Sequence, residues 1–470
     1  MASDESKPDE KIYALINYED PYVQPLILSA LENRLPKTAY ELITSLSQLP
    51  APSSRLLQFV QYESIDFDHL MEHSFTSLAN AYVIRKALIR KHYLSTTIAN
   101  WITKYPDSVL RKHVKPSVEF EVDYAEFLDD ALVEAWELKE SWARNAELDN
   151  EGEEAGKKRE WWILKPGMSD RGQGIRLFSS EEELTSIFEE WDPESDDEDE
   201  EEDARSDAGN EHKDGEEEGN GIITAQLRHF VAQPYIHPPL LLQPPNSASE
   251  GLRKFHIRTY VLATGALQVF VYRPMLALFA ARAYVPPWDQ VLQEDREEAM
   301  RAHLTNTCLQ DSGDREGSVG LFWSLPDSLP SQPSFTTGNE TVKLEANGGW
   351  KEKAFEQLCK ITGETFEAAA RGMSIHFQPL PNAFEVFGLD FMVGIEPDGE
   401  LNTYLLEVNA FPDFRQTGDE LSGMIEGLFE GVVDVGVKEF FGVDDEEKEK
   451  GMREGEGEMV KVLDIDLGRR

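Results

Sequence analysis

Cysteine is almost missing from this chain: Cys308 and Cys359 are the only two in 470 residues. That excludes a disulfide framework and a cysteine-type zinc site. Basic residues are also scarce, 45 Lys and Arg against 89 Asp and Glu, for a formal charge of −44. Such an excess of negative charge argues against a general binder of nucleic acid or of anionic membrane. No apolar run reaches 18 residues; the best stretch, Met275–Ala281, is cut by Arg282, so no membrane-spanning helix is expected. The opening Met-Ala-Ser-Asp-Glu is acidic and polar, unlike a secretory signal or transit peptide, and the chain reads as cytoplasmic. Neither Gly-x-Ser-x-Gly nor the Gly-Lys-Ser/Thr of a Walker loop occurs, which removes two common nucleophile and phosphate motifs.

What is present is enough to fold. Hydrophobic residues make up 40% of the chain and aromatics 10%, too much for wholesale disorder. The charge is uneven. Asp192–Gly219 holds sixteen acidic and two basic residues with almost nothing apolar, so it cannot offset the entropy of ordering and is expected to be a disordered insertion. Asp444–Glu458, with eight acids and three bases, reads as a tail, whereas Arg85–Lys115 carries eight Lys or Arg and a single acid, Asp107. The expected organisation is a disordered 1–10, a small α/β domain over 11–117, a central lobe over 118–234 containing the insertion at 192–219, a C-terminal lobe over 235–442 and an acidic tail over 443–470.

Local patterns fill in this frame. Lys11–Tyr18 reads as a strand, and Val23–Glu32, Arg85–Trp101 and Val122–Asn145 as helices, the last from the spacing of Phe127, Leu128, Leu132, Ala135 and Trp136. Trp161–Lys165, Ile175–Phe178 and Ile222–Gln233 read as strands, with a helix over Glu181–Trp191. Arg253–Ala263 and Ala266–Arg273 form a hairpin around Thr264-Gly265, and Phe384–Gly394 with Thr403–Asn409 another around Pro397–Gly399. Leu329–Gly349 is polar and reads as a loop.

Four features carry chemistry. In the first, a strand delivers Lys165 into the small-residue loop containing Gly167, Gly172 and Gly174. Glycines let backbone N–H groups approach phosphate oxygens, and the lysine adds a point charge; an ordinary hairpin turn is the alternative. In the second, period 2 puts Lys254, His256, Arg258 and Tyr260 on one face of a strand, with Phe255, Ile257, Thr259 and Val261 on the other. That face has no acid, which points to an anion site, and Arg273 on the partner strand offers a further positive group. In the third, Asp390 sits in the hydrophobic strand Phe387–Val393, costly for an unpaired carboxylate, while Glu407 and Asn409 share a strand face. Two carboxylates and an amide oxygen are hard ligands suited to Mg²⁺; structural acids paired with arginine are the alternative. The fourth is Phe230–Ile236, a strand running through Gln233 into Pro234 and Tyr235, a candidate hinge whose backbone suits an adenine edge.

In this order, and with His303-Leu-Thr-Asn306, Phe-Gly-Leu-Asp390-Phe-Met and Leu-Leu-Glu407-Val-Asn409, the motifs resemble the tubulin–tyrosine ligase family, in particular its fungal-type members. The resemblance spans roughly 90–414. It implies an α+β chain with an ATP-grasp fold, two α/β lobes that clasp ATP, preceded by the small N-terminal α/β domain. It further implies ATP contacts from Lys91, Lys165, Gly172, Gly174, Gln233, Tyr235, Lys254 and Asn306. Asp390, Glu407 and Asn409 would hold Mg²⁺, and Arg258 and Arg273 would face the γ-phosphate and the acceptor carboxylate. The implied reaction joins a free amino acid to a protein substrate, such as a tubulin C-terminal tail, through an acyl phosphate. The implied alternative is a non-catalytic scaffold for a protein partner of the kind associated with RNA-processing bodies. This chain departs from the family pattern at His256, where the family has Asp, and at Pro234, where a lysine is usual.

Overall fold

The computed structural model describes residues 11–149, 157–167, 172–191, 228–245, 251–289, 296–305, 318–333, 341–342, 349–417, 421–443 and 458–468. The expected insertion at 192–219, the acidic run from 444 to 457 and Asn306 lie outside them. The chain forms two compact units, one of residues 1–116 with 236–470 and the other of 117–235.

The first unit opens with a parallel sheet. β1 (Ile12–Asn17) is followed by helix α1 (Val23–Arg34), then β2 (Tyr40–Ile43), β3 (Leu56–Val60) and β4 (Ser77–Ala79), in the order β2-β1-β3-β4. All five residues of β3 are buried, as expected of a parallel strand covered on both faces. The expected helix over Arg85–Trp101 is two, Lys86–Ile89 and α2 (Lys91–Lys104), and a third short helix, Leu110–His113, completes the basic segment. Arg90 between the first two is extended, with φ −100° and ψ 121°.

The same unit contains a larger, eight-stranded sheet. Its strands are β9 (Leu241–Leu242), β10 (Arg253–Thr264), β11 (Gln268–Tyr272), β12 (Leu276–Phe279), β13 (Val319–Leu321), β16 (Phe384–Ile395), β17 (Leu401–Ala410) and β18 (Met459–Asp464); helix α5 (Arg296–His303) comes between β12 and β13 in the chain, and the short pair β14 (Gln332–Pro333) and β15 (Thr341–Val342) stands apart. β10 is the spine. One of its edges pairs with β16, and β11 and β12 follow each other along the opposite edge. β18 pairs with β11, so residues expected in an acidic tail return to the sheet. In Met459–Asp464, Val460 and Val462 flank the exposed Lys461 and share a strand face, and Val460 pairs with Val271.

Both faces of the sheet are covered, which explains why β10 is buried along ten of its twelve residues. Phe255, Ile257 and Val261 pack with Phe355, Leu358 and Ile361 of the 23-residue helix α6 (Trp350–Gly372). Tyr260 and Leu262 pack on the other side with α1 and α7 (Ser422–Val432). Side chains that point to opposite faces in alternation produce this division. Further along the Tyr260 face, the side chains change from apolar to Arg258, His256 and Lys254.

The second unit is a small antiparallel sheet in the order β5-β8-β6-β7, from β5 (Val118–Glu121), β6 (Trp162–Pro166), β7 (Arg176–Phe178) and β8 (His229–Pro234). Helices α3 (Trp136–Asp149) and α4 (Glu181–Trp191) contribute Leu138, Trp142, Leu184 and Phe188 to its core. The expected single helix over Val122–Asn145 is broken. Val122 is drawn into the sheet, its N–H donating to Arg228 O at 2.9 Å. A short turn of helix follows at Leu128–Ala131, and α3 begins only at Trp136. Of the residues that set the expected spacing, Leu128, Leu132 and Ala135 reach the core, joined by Leu138, whereas Phe127 and Trp136 are exposed, so the sheet overrode helix continuity and only part of the apolar face is used. Among the described residues, no helix is long and apolar enough to cross a membrane.

Candidate active site

Strand pairing builds the charged face. Arg258 on β10 lies directly opposite Asp390 on β16, and Asp390 lies opposite Glu407 on β17. Arg258 is 8% and Asp390 4% exposed. The guanidinium grips the carboxylate with both arms, Nε to Oδ1 at 2.5 Å and Nη2 to Oδ2 at 2.9 Å. Burial alone would lower the Arg258 pKa, but the adjacent Asp390 charge and its hydrogen bonds hold it well above the usual arginine value. Such a pair stays in an apolar sheet because each charge has its partner in good geometry. Gly388 makes room for it: a Cβ there would stand 2.9 Å from Pro412 Cβ and 3.5 Å from Arg258 Cδ.

Asn409 ties the carboxylates together. Its amide nitrogen donates to Glu407 Oε1 at 3.1 Å and reaches Asp390 Oδ2 at 3.5 Å. Glu407 Oε2 lies 3.5 Å from Lys91 Nζ. Lys91 is the first residue of α2, set there by the extended backbone of Arg90. Asp390, Glu407 and Asn409 therefore form one cluster, as their strand placement suggested, with cations on both flanks.

Lys254 and His256 continue the face and are 3% and 4% exposed. His256 Nδ1 is 2.5 Å from Thr305 Oγ1, and its Nε2 is 3.5 Å from Asp390 Oδ1. Burial lowers its pKa, with Asp390 pulling the other way and Arg258 adding to the lowering. Near Lys254 are two histidines that the sequence did not single out as site residues. His237 is pushed down to about 4 by burial and by the Lys254 charge, and His303 is lowered by burial, Lys254 and His237. His237 Nδ1 is 2.8 Å from Tyr284 Oη, and the Tyr284 ring meets His303 edge-on at 5.6 Å. Burial and the neighbouring Lys254 thus hold both imidazoles toward their neutral form. His237 sits directly before a proline and two residues after Tyr235, the one sequence cue that could have flagged it.

Arg273 is not brought to this face. The pairing of β10 moves from Val261↔Val271 to Arg258↔Leu276, so two extra residues on the partner side bulge out of the ladder at Arg273-Pro274. Pro274 has no N–H to give a ladder. The Arg273 guanidinium lies over the Trp323 and Phe355 rings at 4.4 and 4.8 Å and pairs with Glu352 of α6 at 2.6 Å. It belongs to the α6 side of the sheet.

In the second unit, Lys165 Nζ donates to Gln233 Oε1 at 3.0 Å across β6 and β8. Gly172 and Gly174 have φ of 78° and 71°, the left-handed region in which glycine costs least. Residues 168–171 between them and the lysine are outside the described set. Tyr235 is 8% exposed and closes the end of β8, its N–H donating to Trp161 O at 2.8 Å.

The model of the tubulin–tyrosine ligase family matches residues 90–444. A probable tubulin–tyrosine ligase of Schizosaccharomyces pombe is 42% identical over 443 residues, covering 93% of each chain. This chain belongs to the tubulin–tyrosine ligase family. Another relative, the probable tubulin–tyrosine ligase PBY1 of Saccharomyces cerevisiae, is 40% identical over 94% of this chain, which spans only 54% of that protein. The solved C-terminal domain of Kluyveromyces lactis Pby1, described as an ATP-grasp enzyme interacting with the mRNA decapping enzyme Dcp2, superposes with a TM-score of 0.63. It is 34% identical and is covered over 99% of its length, against 97% of this chain. The fold is therefore ATP-grasp, an α+β architecture.

Proposed function

We propose that this family member is an ATP- and Mg²⁺-dependent carboxylate–amine ligase. The observation that carries the reading is the joined cluster of Asp390, Glu407 and Asn409 with Arg258 and Lys91 on its flanks and Lys254 on the same buried face. The donor set fits Mg²⁺. Among the described residues no three His, Cys, Asp or Glu side chains gather around one point, so the third protein ligand is the amide oxygen of Asn409, whose nitrogen is already committed to the carboxylates. When bound, the metal supplies charge neutralisation at the nucleotide phosphates.

Lys91 and Lys254 neutralise phosphate charge in the first unit, and Lys165 with Gly172 and Gly174 does so in the second. Arg258, already shaped for bidentate recognition of a carboxylate, orients the transferred phosphoryl group or the acceptor. The acceptor carboxylate oxygen bonds to the γ-phosphorus as the bond to ADP breaks. An amine nitrogen then bonds to the acyl carbon, phosphate leaves, and the amine gives up a proton. Such phosphoryl transfer needs positioning and charge stabilisation more than a protein nucleophile. Arg273 takes no part in this scheme.

The proposed acceptor is a protein carboxylate, such as a tubulin C-terminal tail, and the amine that of a free amino acid, in a cytoplasmic setting. Relatives at 24% identity are named a probable tubulin polyglutamylase in Caenorhabditis elegans and a tubulin glycylase in Drosophila melanogaster. A second reading, partner binding without ligation, is favoured by the similar Kluyveromyces domain, which interacts with Dcp2. ADP release and mass shift on acceptor peptides, offered each amino acid in turn, separate the two readings. Ligation requires both signals with one amino acid, whereas nucleotide binding with neither signal favours the scaffold.

A further inference from the structure

The second unit carries an exposed surface that the ligase chemistry does not use. Tyr124, Phe127, Val133 and Trp136 are 51, 47, 55 and 66% exposed, four of the ten exposed large apolar side chains among the described residues. Tyr124 and Phe127 meet edge-on at 6.2 Å. Beside Val133 runs a groove of about 650 Å³, bounded by Val118 and Glu119 of β5 and by Asp130, Glu134 and Glu137. The stretch from Asp123 to Glu137 contains six acids and no basic residue. Among the described residues Glu126, Asp129, Asp130, Glu134 and Glu137 form no ion pair, while Arg228 pairs with Glu121 and Asp123 and His229 with Glu121.

Exposed aromatics in a short stretch are costly in water unless something covers them, and Trp and Tyr are the residues that anchor interfaces. The unpaired carboxylates around them select the sign of the occupant. They attract a basic segment at long range and reject an acidic tail or a nucleic acid. We infer that this surface of the second unit, Tyr124 to Glu137 with its groove, docks an extended basic segment of a partner protein whose apolar side chains alternate with lysine or arginine. Apolar side chains of that segment fill the groove beside Val133 and cover Trp136, and its cations meet Asp130, Glu134 and Glu137. Since the surface repels acidic chains, an acidic acceptor tail is excluded from it, and docking and acceptor recognition are separate functions of the molecule.

Fluorescence anisotropy on the full chain tests this with labelled synthetic peptides at near-physiological salt. The probes are a peptide alternating lysine with leucine, an oligolysine of equal charge, the corresponding glutamate–leucine peptide, and a single-stranded RNA. The lysine–leucine peptide should bind at least about tenfold more tightly than oligolysine, and the glutamate peptide and RNA should not bind. Trp136→Ser and Val133→Ser should each weaken binding about tenfold, and Glu134→Lys with Glu137→Lys should abolish it, at unchanged melting temperature and ATP affinity. Equal binding of oligolysine, binding of RNA, failure of the lysine–leucine peptide to bind, or indifference to Trp136→Ser would each overturn the assignment.

Discussion

The face of β10 and the Tyr124–Glu137 surface both place charge beside apolar side chains, and they treat it in opposite ways. At the β10 face the Arg258–Asp390 pair is buried, Glu407, Asn409 and Lys91 beside it are half-buried, and the groups are joined to one another: Arg258 to Asp390, Asn409 to both carboxylates, Lys91 to Glu407. On the Tyr124–Glu137 surface the carboxylates and the aromatics are exposed, with one cation, Lys139, 5.9 Å from the Trp136 ring. Buried charge demands a partner within the protein because water cannot reach it. Exposed charge needs none and remains available to another molecule. The first arrangement fixes a small, rigid constellation suited to phosphates and a metal. The second suits a macromolecular partner that brings its own opposite charge.

That contrast is sharpest in stability. Asp390→Leu strands the Arg258 guanidinium in the sheet and should cost about 3–5 kcal/mol in urea unfolding. Arg258→Met combined with Asp390→Leu should recover most of that loss. A loss under about 1 kcal/mol for the single variant would mean that the pair is solvated and the comparison fails. Glu385, a second buried carboxyl on β16, offers a graded test. It lies 2.9 Å from Arg85, yet burial pushes it up to about 8 against the opposing pull of Arg85 and the Tyr82 N–H. The folded state then holds a proton that the unfolded chain releases near 4.5. Its contribution to stability is full below that value and is lost as pH rises through about 8. Glu385→Gln should remove roughly 2–4 kcal/mol from the stability difference between those two conditions; an unchanged pH slope would show a carboxylate already ionised by Arg85. The smallest effect belongs to the exposed side, where Asp130→Lys with Glu134→Lys should shift unfolding by less than about 0.5 kcal/mol.

The sequence made much of the charged face legible because a period of two is robust wherever both faces of a strand are buried. Lys254, His256 and Arg258 opposite Phe255 and Ile257 followed from it. The cost of a carboxylate in Phe387–Val393 was legible too, but not its partner, since Arg258 and Asp390 are 132 residues apart and meet only through strand register. Arg273 falls on the other face because the turn between β10 and β11 spans three residues, 265–267, in place of the expected two-residue turn at Thr264-Gly265, and an odd change of register reverses the alternation. Val122–Asn145 kept only part of its helical spacing, and β8 captured its start. β18 was masked by the acidic run before it, although Val460 and Val462 alternate as a strand requires. The expected helix through Trp101 stops at Arg90, where an extended residue starts α2 at Lys91.

The central claim is that the Asp390–Glu407–Asn409 cluster holds the metal of a bound nucleotide. Titration calorimetry of ATP into the full chain, with Mg²⁺ and then with chelator, tests it most directly on the wild type and on Glu407→Gln. With Mg²⁺ the wild type should bind ATP, and Glu407→Gln should weaken binding about tenfold or more, while under chelator the two proteins should agree within a few-fold. Loss of equal size with and without metal, or no ATP binding by the wild type, would contradict the assignment.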